Sequence, residues 1–194
     1  MKTPLLLETL RIEGGEVQNL LWHNRRFNRS RRELFGAEEE LDLADFLGDL
    51  PGEGIWRARV LYTLYIEKVE LLPYTLRLPK SFASVEFQDD YRFKYADRSS
   101  FDALKAAHPE AEELLLCRDG LLTDTTIANL ALYRDGRWFT PARPLLEGTT
   151  RARLLVEGKL IPAEIPCASL GEYEALAVMN AMMGFRVLED WEIV

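Results

Sequence analysis

Leu114-Leu115-Leu116-Cys117-Arg118-Asp119-Gly120-Leu121-Leu122-Thr123-Asp124-Thr125-Thr126-Ile127-Ala128-Asn129 decides how this chain folds. Leu114 to Cys117 is a short continuous apolar run, the pattern of a buried strand. Asp119-Gly120 tolerates positive φ at both positions and predicts a tight hairpin turn. The return segment, Leu121 to Leu132, is apolar except for the small polar residues between Thr123 and Asn129. An acid inside an apolar segment is awkward to bury unless a cation meets it. Asp124 is therefore a candidate site residue, although the same stretch also fits an Asx or threonine turn.

Downstream, Asp135-Gly136 predicts another hairpin, joining strands around Ala131 and Trp138. Gly148-Thr149-Thr150-Arg151 opens a short helix that Gly158 can close. Exposed N–H groups and the helix dipole at such a start attract anions; an ordinary threonine N-cap has the same sequence. Ser169 and Glu172 have capping-box spacing, and Ala175 to Met179 predicts a strand running into Asn180-Ala181.

Upstream, Tyr91-Arg92-Phe93-Lys94 predicts a strand end. A lysine held between Phe93 and Tyr95 loses solvation, so its pKa falls and it becomes a usable nucleophile. Taken alone it also reads as a surface lysine. Ser100 can cap a helix carrying Phe101, Leu104 and Ala107.

The first half starts as a hairpin: Leu5 to Ile12, a Gly14-Gly15 turn, and Val17 to Leu21. A helix over roughly Trp22 to Phe35 follows, with Leu20, Phe27 and Leu34 marking its inner face and Gly36 ending it. Arg25, Arg29 and Arg32 share a solvated face, whereas Arg26 lies nearer the apolar side. An inward arginine needs an anionic partner, and phosphate is a good one; a solvated arginine is the plainer alternative. Glu38-Glu39-Glu40 and Leu41 to Leu50 suggest an acidic helix, and Ile55 to Leu72 a long strand or hairpin. Pro73, Pro79 and the polar stretch Ser81 to Asp90 read as a crossover, which places the domain boundary between residues 1–82 and 83–194.

A chain of 194 residues with 47% apolar and 29% charged residues buries a real core and is not disordered. Its net charge of −8 disfavours nucleic acid as a partner, because phosphate backbones need a basic field. The start does not resemble a signal peptide, and no apolar run is long enough to span a bilayer, so a cytoplasmic protein without membrane contact is expected. The two histidines, His23 and His108, sit at no ligand spacing, so no metal is expected. Cys117 and Cys167 are expected to be free thiols. No Walker-type glycine loop is present.

Leu7-Glu8-Thr9-Leu10-Arg11, then Gly15, then His23-Asn24-Arg25-Arg26-Phe27, together with Lys94, Asp124, Asn129, Gly148-Thr149-Thr150 and Asn180-Ala181, resembles the fold-type-IV pyridoxal-phosphate (PLP) enzymes. These include class IV branched-chain and D-amino-acid aminotransferases and aminodeoxychorismate lyase. The resemblance implies an α+β (mixed α/β) fold, with a small N-terminal α+β domain and a C-terminal PLP-binding domain around a mixed sheet or pseudo-barrel. It puts the Schiff-base lysine on Lys94, the phosphate arginine on Arg26, and the acid that holds the pyridine nitrogen on Asp124 with Asn129. It puts the second phosphate site on Thr149 and Thr150, and the loop beside the cofactor on Asn180 and Ala181. Where the family usually has glutamate, this chain has the shorter Asp124.

Lys94-Tyr95-Ala96-Asp97-Arg98 resembles the lyase branch, which makes Arg98 a candidate for a substrate carboxylate and equally a surface helix residue. The reaction then expected is 4-amino-4-deoxychorismate lyase. The alternatives are an amino-acid aminotransferase with a 2-oxo acid acceptor and a catalytically degenerate PLP-binding protein. An amino-acid-like small-molecule substrate and a homodimer complete the expectation.

Overall fold

The computed structural model describes residues 3–194, which form two compact units. The first holds the described residues up to Leu76 and adds Phe93–Asp97; the second holds Arg77–Arg92 and Arg98–Val194. The fold is mixed α/β, dominated by sheets, with three α-helices among the described residues.

The first unit is an antiparallel sheet covered by one helix. Strands β1 (Leu6–Glu13), β2 (Glu16–Val17), β3 (Ile55–Tyr62) and β4 (Ile66–Pro73) are ordered β2-β1-β3-β4. Gly14 and Gly15 turn the first hairpin with φ of 61° and 77°, values that favour glycine. Helix α1 (Leu20–Phe35) begins two residues earlier than the pattern suggested and ends at Gly36 in the left-handed cap. Leu6, Leu10 and Ile12 alternate along β1 and pack with Phe27 of α1 and with Ala58, Val60 and Tyr62 of β3. Residues 93–97 return to this unit as a strip along β1: Leu7 N donates to Lys94 O, Ala96 N donates to Leu5 O, and Leu6 bridges Tyr95.

The acidic helix expected before Leu50 is a single 3-10 turn, Leu43–Phe46. Asp42 caps it by accepting from Ala44 N, and of this stretch only Leu43 and Leu47 are buried. The backbone of this stretch is instead tied to side chains of α1: Leu41 N donates to Asn28 Oδ1, Leu43 N donates to Asn24 Oδ1, and Asn28 Nδ2 donates to Leu41 O.

The second unit is a mixed nine-stranded sheet. Its strands are β5 (Ser81–Glu86), β6 (Glu113–Arg118), β7 (Leu121–Thr125), β8 (Asn129–Arg134), β9 (Arg137–Pro141), β10 (Ile161–Ala163), β11 (Ala175–Asn180), β12 (Gly184–Val187) and β13 (Glu192–Ile193). The order is β10-β9-β8-β7-β6-β5-β13, with β11 pairing β8 and β12. Both Asp-Gly turns form as read, with positive φ at Asp119, Gly120, Asp135 and Gly136. Ser81 to Glu86, read as part of a crossover, is a strand parallel to β6. Helices α2 (Ser99–Ala107) and α3 (Thr149–Val156) complete the unit.

Three expected caps are absent. Arg98, not Ser100, is the N-cap of α2. Gly148, not a threonine, is the N-cap of α3. Ser169 lies inside a 3-10 turn, Cys167–Glu172, with its hydroxyl donating back to Pro166 O.

Cys117 and Cys167 are not free thiols but a disulfide. Their Cα atoms lie 6.5 Å apart because residues 165–167 run along β7: Leu122 N donates to Ile165 O, Leu121 bridges Pro166, and Cys167 N donates to Gly120 O. No described helix is long and apolar enough to cross a membrane.

Candidate active site

In the first unit, the alternation of β1 puts Glu8 on the same inward face as Leu6 and Leu10, where it is fully buried. Charge in that position requires partners, and α1 supplies two. Arg26 donates from Nε to Glu8 Oε1 and from Nη2 to Oε2, each at 2.7 Å. His23, one turn before it, meets the same Oε2 through Nδ1 at 2.7 Å. Burial alone would raise the Glu8 acid, but the Arg26 guanidinium and the His23 hydrogen bond more than offset it and hold it at about 2. Glu8 is therefore ionised and can only accept, so His23 Nδ1 carries the proton. Burial lowers the His23 pKa, opposed by its contact with Glu8 and reinforced by the charges of Arg26 and Lys94, so the ring is neutral at pH 7. His23 Nε2 is buried and has no hydrogen-bond partner among the described residues. Arg26 does lie inward, and a carboxylate of the chain itself, Glu8, is an anionic partner for it.

In the second unit, Asp124 at the end of β7 faces Asn129 at the start of β8. Asn129 Nδ2 donates to Asp124 Oδ1 at 2.6 Å and also reaches Leu146 O. Leu146 N donates to Asp124 Oδ2 at 2.9 Å. Burial pushes the Asp124 acid up to about 7, although these hydrogen bonds and the charge of Arg151 pull the other way. The donors that touch Asp124 are neutral, so the carboxyl is buried beyond what its immediate contacts neutralise.

The turn reading of this stretch also holds, carried by its neighbour: Thr125 Oγ1 accepts from Ile127 N and Ala128 N. Asn180, the last residue of β11, donates to Ile127 O and accepts from Met182 N and Met183 N, which fixes the turn at Ala181. Arg98 donates to Thr126 O at 2.8 Å and stacks on Phe101, so part of its guanidinium is already engaged.

Glycine is required at the start of α3. A Cβ on Gly148 would collide with Asn129 Oδ1. Because Gly148 has no side chain, the first-turn N–H groups of α3 have no side-chain cap. Thr149 and Thr150 follow, both buried, and Thr150 Oγ1 has no hydrogen-bond partner among the described residues. Arg151 is buried too, held by Thr140 Oγ1 and Pro141 O.

These donors and acceptors fit PLP group by group. An under-neutralised buried acid suits a protonated ring nitrogen, and an uncapped helix start beside an unpartnered hydroxyl suits a phosphate. Lysine is the amine that forms imines with aldehydes.

Glu8 and His23 were not singled out from sequence as site residues. The available signal was a carboxylate in phase with the apolar face of β1, and a histidine one turn from Arg26. Arg151 was likewise quoted without a role.

The class IV aminotransferase family model matches residues 93–189. A Haemophilus influenzae protein of uncharacterized activity is 33% identical over 185 residues, covering 92% of this chain and 98% of that protein. A crystal structure from Haemophilus somnus 129pt, provisionally named a 4-amino-4-deoxychorismate lyase, is 32% identical with a TM-score of 0.86 and covers 95% of this chain and 99% of that one. A Mycobacterium tuberculosis protein described as an aminotransferase in its PLP-bound form shares the fold at 16% identity, with a TM-score of 0.79 and coverage of 98% and 82%. The chain belongs to the class IV aminotransferase family, whose fold is that of PLP-dependent enzymes.

Proposed function

We propose that this chain is a PLP-dependent enzyme with Lys94 as its covalent attachment residue, and that it acts as a 4-amino-4-deoxychorismate lyase. That reaction releases pyruvate and leaves 4-aminobenzoate, a folate precursor. The observation that carries the cofactor reading is the buried Asp124 carboxyl, pushed up to about 7 and touched only by neutral donors among its hydrogen-bond partners. The choice of lyase rests on the likeness to the Haemophilus somnus protein across nearly all of both chains.

Bound PLP supplies an electron sink for the pair released at the substrate α-carbon. The chain's residues do the rest. Lys94 Nζ would take the proton from that carbon and give a proton to the departing enolpyruvyl group, which leaves as pyruvate while the ring becomes aromatic. Asp124 keeps the ring nitrogen protonated, and Asn129 holds Asp124. Arg26, Thr149 and Thr150 anchor the phosphate, while Asn180 and Ala181 line the cofactor. Arg98 takes a substrate carboxylate with the N–H groups that Thr126 O and the Tyr91 hydroxyl do not use. We also propose a homodimer, which light scattering tests.

The expected assay result is 4-aminobenzoate and pyruvate from aminodeoxychorismate, over many turnovers and with no 2-oxo acid added. Amine exchange between branched-chain amino acids or D-alanine and 2-oxoglutarate, without aminobenzoate, would make the chain an aminotransferase. Cofactor retention without turnover of any amine would make it a binding protein.

A further inference from the structure

We infer that His23 is a second phosphate-binding residue of this chain, one that takes a proton from solvent at Nε2 when a phosphate monoester docks on Arg26. The inference rests on the reading of Arg26 as a phosphate anchor and goes beyond it.

The argument begins with charge. Glu8 Oε2 is shared by Arg26 Nη2 and His23 Nδ1, both at 2.7 Å, so the guanidinium and the imidazole converge on one oxygen. Arg26 has also given Nε to the other carboxylate oxygen. One buried positive charge is therefore matched by one buried negative charge, and a neutral His23 adds nothing. Apart from the Lys94 charge nearby, a phosphate dianion arriving here meets zero formal charge on Glu8, Arg26 and His23. Protonating His23 makes the cluster cationic at the moment an anion needs it.

The second strand of the argument is the orphaned atom. His23 is fully buried, its Nδ1–H is committed to Glu8, and its Nε2 lone pair has no partner among the described residues. A buried acceptor with nothing to accept is costly unless something completes it. Protonated, Nε2 becomes a donor, and a phosphate oxygen supplies the acceptor it then needs.

The other ionisable groups facing this cluster do not mimic the effect. Glu8 is held far into its ionised range, and Arg26 stays charged. Burial pushes the Tyr62 hydroxyl, on β3, up and away from neutral pH. The Lys94 charge, from residues 93–97, acts on His23 to keep it neutral before the anion arrives.

Calorimetry in buffers of different ionisation enthalpy measures the proton directly. Inorganic phosphate and PLP are titrated at about pH 8, where a monoester with a second pKa near 6 is already dianionic. The wild type should take up a proton with either ligand, and His23→Gln should not. Inorganic phosphate is the cleaner probe because it does not engage Asp124.

Nitrogen NMR of the wild-type protein gives a reading that does not depend on a variant folding. The chain has only two histidines, so His23 and His108 are assignable, and the half-buried His108, paired with Glu110, serves as internal control. The His23 ring nitrogens should move to imidazolium positions on adding phosphate, and stay put with pyridoxal, which lacks it. Phosphate binding with His23 still neutral, or equal proton uptake by His23→Gln, would overturn the inference. Unaltered phosphate binding by Arg26→Ala would instead overturn the anchor reading itself.

Discussion

Asn129 Nδ2 sits 2.6 Å from Asp124 Oδ1 across the register pair that joins β7 to β8. The same amide group reaches Leu146 O, and Leu146 N closes the ring on Asp124 Oδ2. Asp124 is thus positioned by a side chain and a backbone segment that continues directly into α3. The acid and the helix start are one construction, with Gly148 as its tightest point.

Gly148→Ala tests that construction. The added methyl collides with Asn129 Oδ1, so either Asn129 or the start of α3 must move. Overpacking of this kind costs about 1–3 kcal/mol. We expect a lower melting temperature together with weaker cofactor binding. A melting temperature and affinity equal to wild type would show that Asn129 is free to turn aside.

Asp124 has a pH signature. Burial holds its carboxyl protonated up to about pH 7, yet it must be ionised to pair with a cationic ring nitrogen. A proton therefore leaves Asp124 on binding, and affinity should rise with pH until about 7 and then level off. The slope below that point is up to about tenfold per pH unit. Pyridoxal is the right probe, since it has no phosphate to engage Arg26. The rise should vanish in Asp124→Asn. Asp124→Glu, with its longer reach, should keep the rise.

Arg26 and Arg29 lie on the same helix and should behave differently. Arg29 is half-exposed and pairs loosely with Glu33. Arg26→Ala should weaken PLP binding by about 1.5–3 kcal/mol, the range for a charged hydrogen bond, while Arg29→Ala changes it little. Arg26→Ala also strands Glu8, so general destabilisation is expected as well. The ratio of PLP to pyridoxal affinity separates the two effects, because only the phosphate contribution alters it.

The Cys117–Cys167 disulfide closes a loop of 50 residues. Chain-entropy arguments give such a bridge about 4 kcal/mol of stabilisation. Thiol titration of the unfolded, unreduced protein should find no free thiol. Reduction should lower the melting temperature and loosen residues 165–167 from β7.

Much of this architecture was legible because it rests on local chemistry. Asp119-Gly120 and Asp135-Gly136 carry their own turn conformations, and Gly36 ends α1 through its backbone freedom alone. The features that escaped depend on distant partners. Ser81 to Glu86 looks polar in isolation and becomes a strand only by pairing with β6, about thirty residues on. Cys117 finds Cys167 only after residues 165–167 align along β7. Glu8 looked like part of a motif rather than a buried anion, because its partners sit on α1. The acidic run before Leu50 forms no long helix because its backbone is held by Asn24 and Asn28 of α1, partners distant in sequence.

The central claim is that Lys94 carries the cofactor. Borohydride reduction of the PLP-loaded protein, followed by peptide mass mapping, tests it most directly. The account predicts one pyridoxyl adduct, on Lys94, and none in Lys94→Ala. An adduct on another lysine, or no adduct after incubation with PLP, would contradict it.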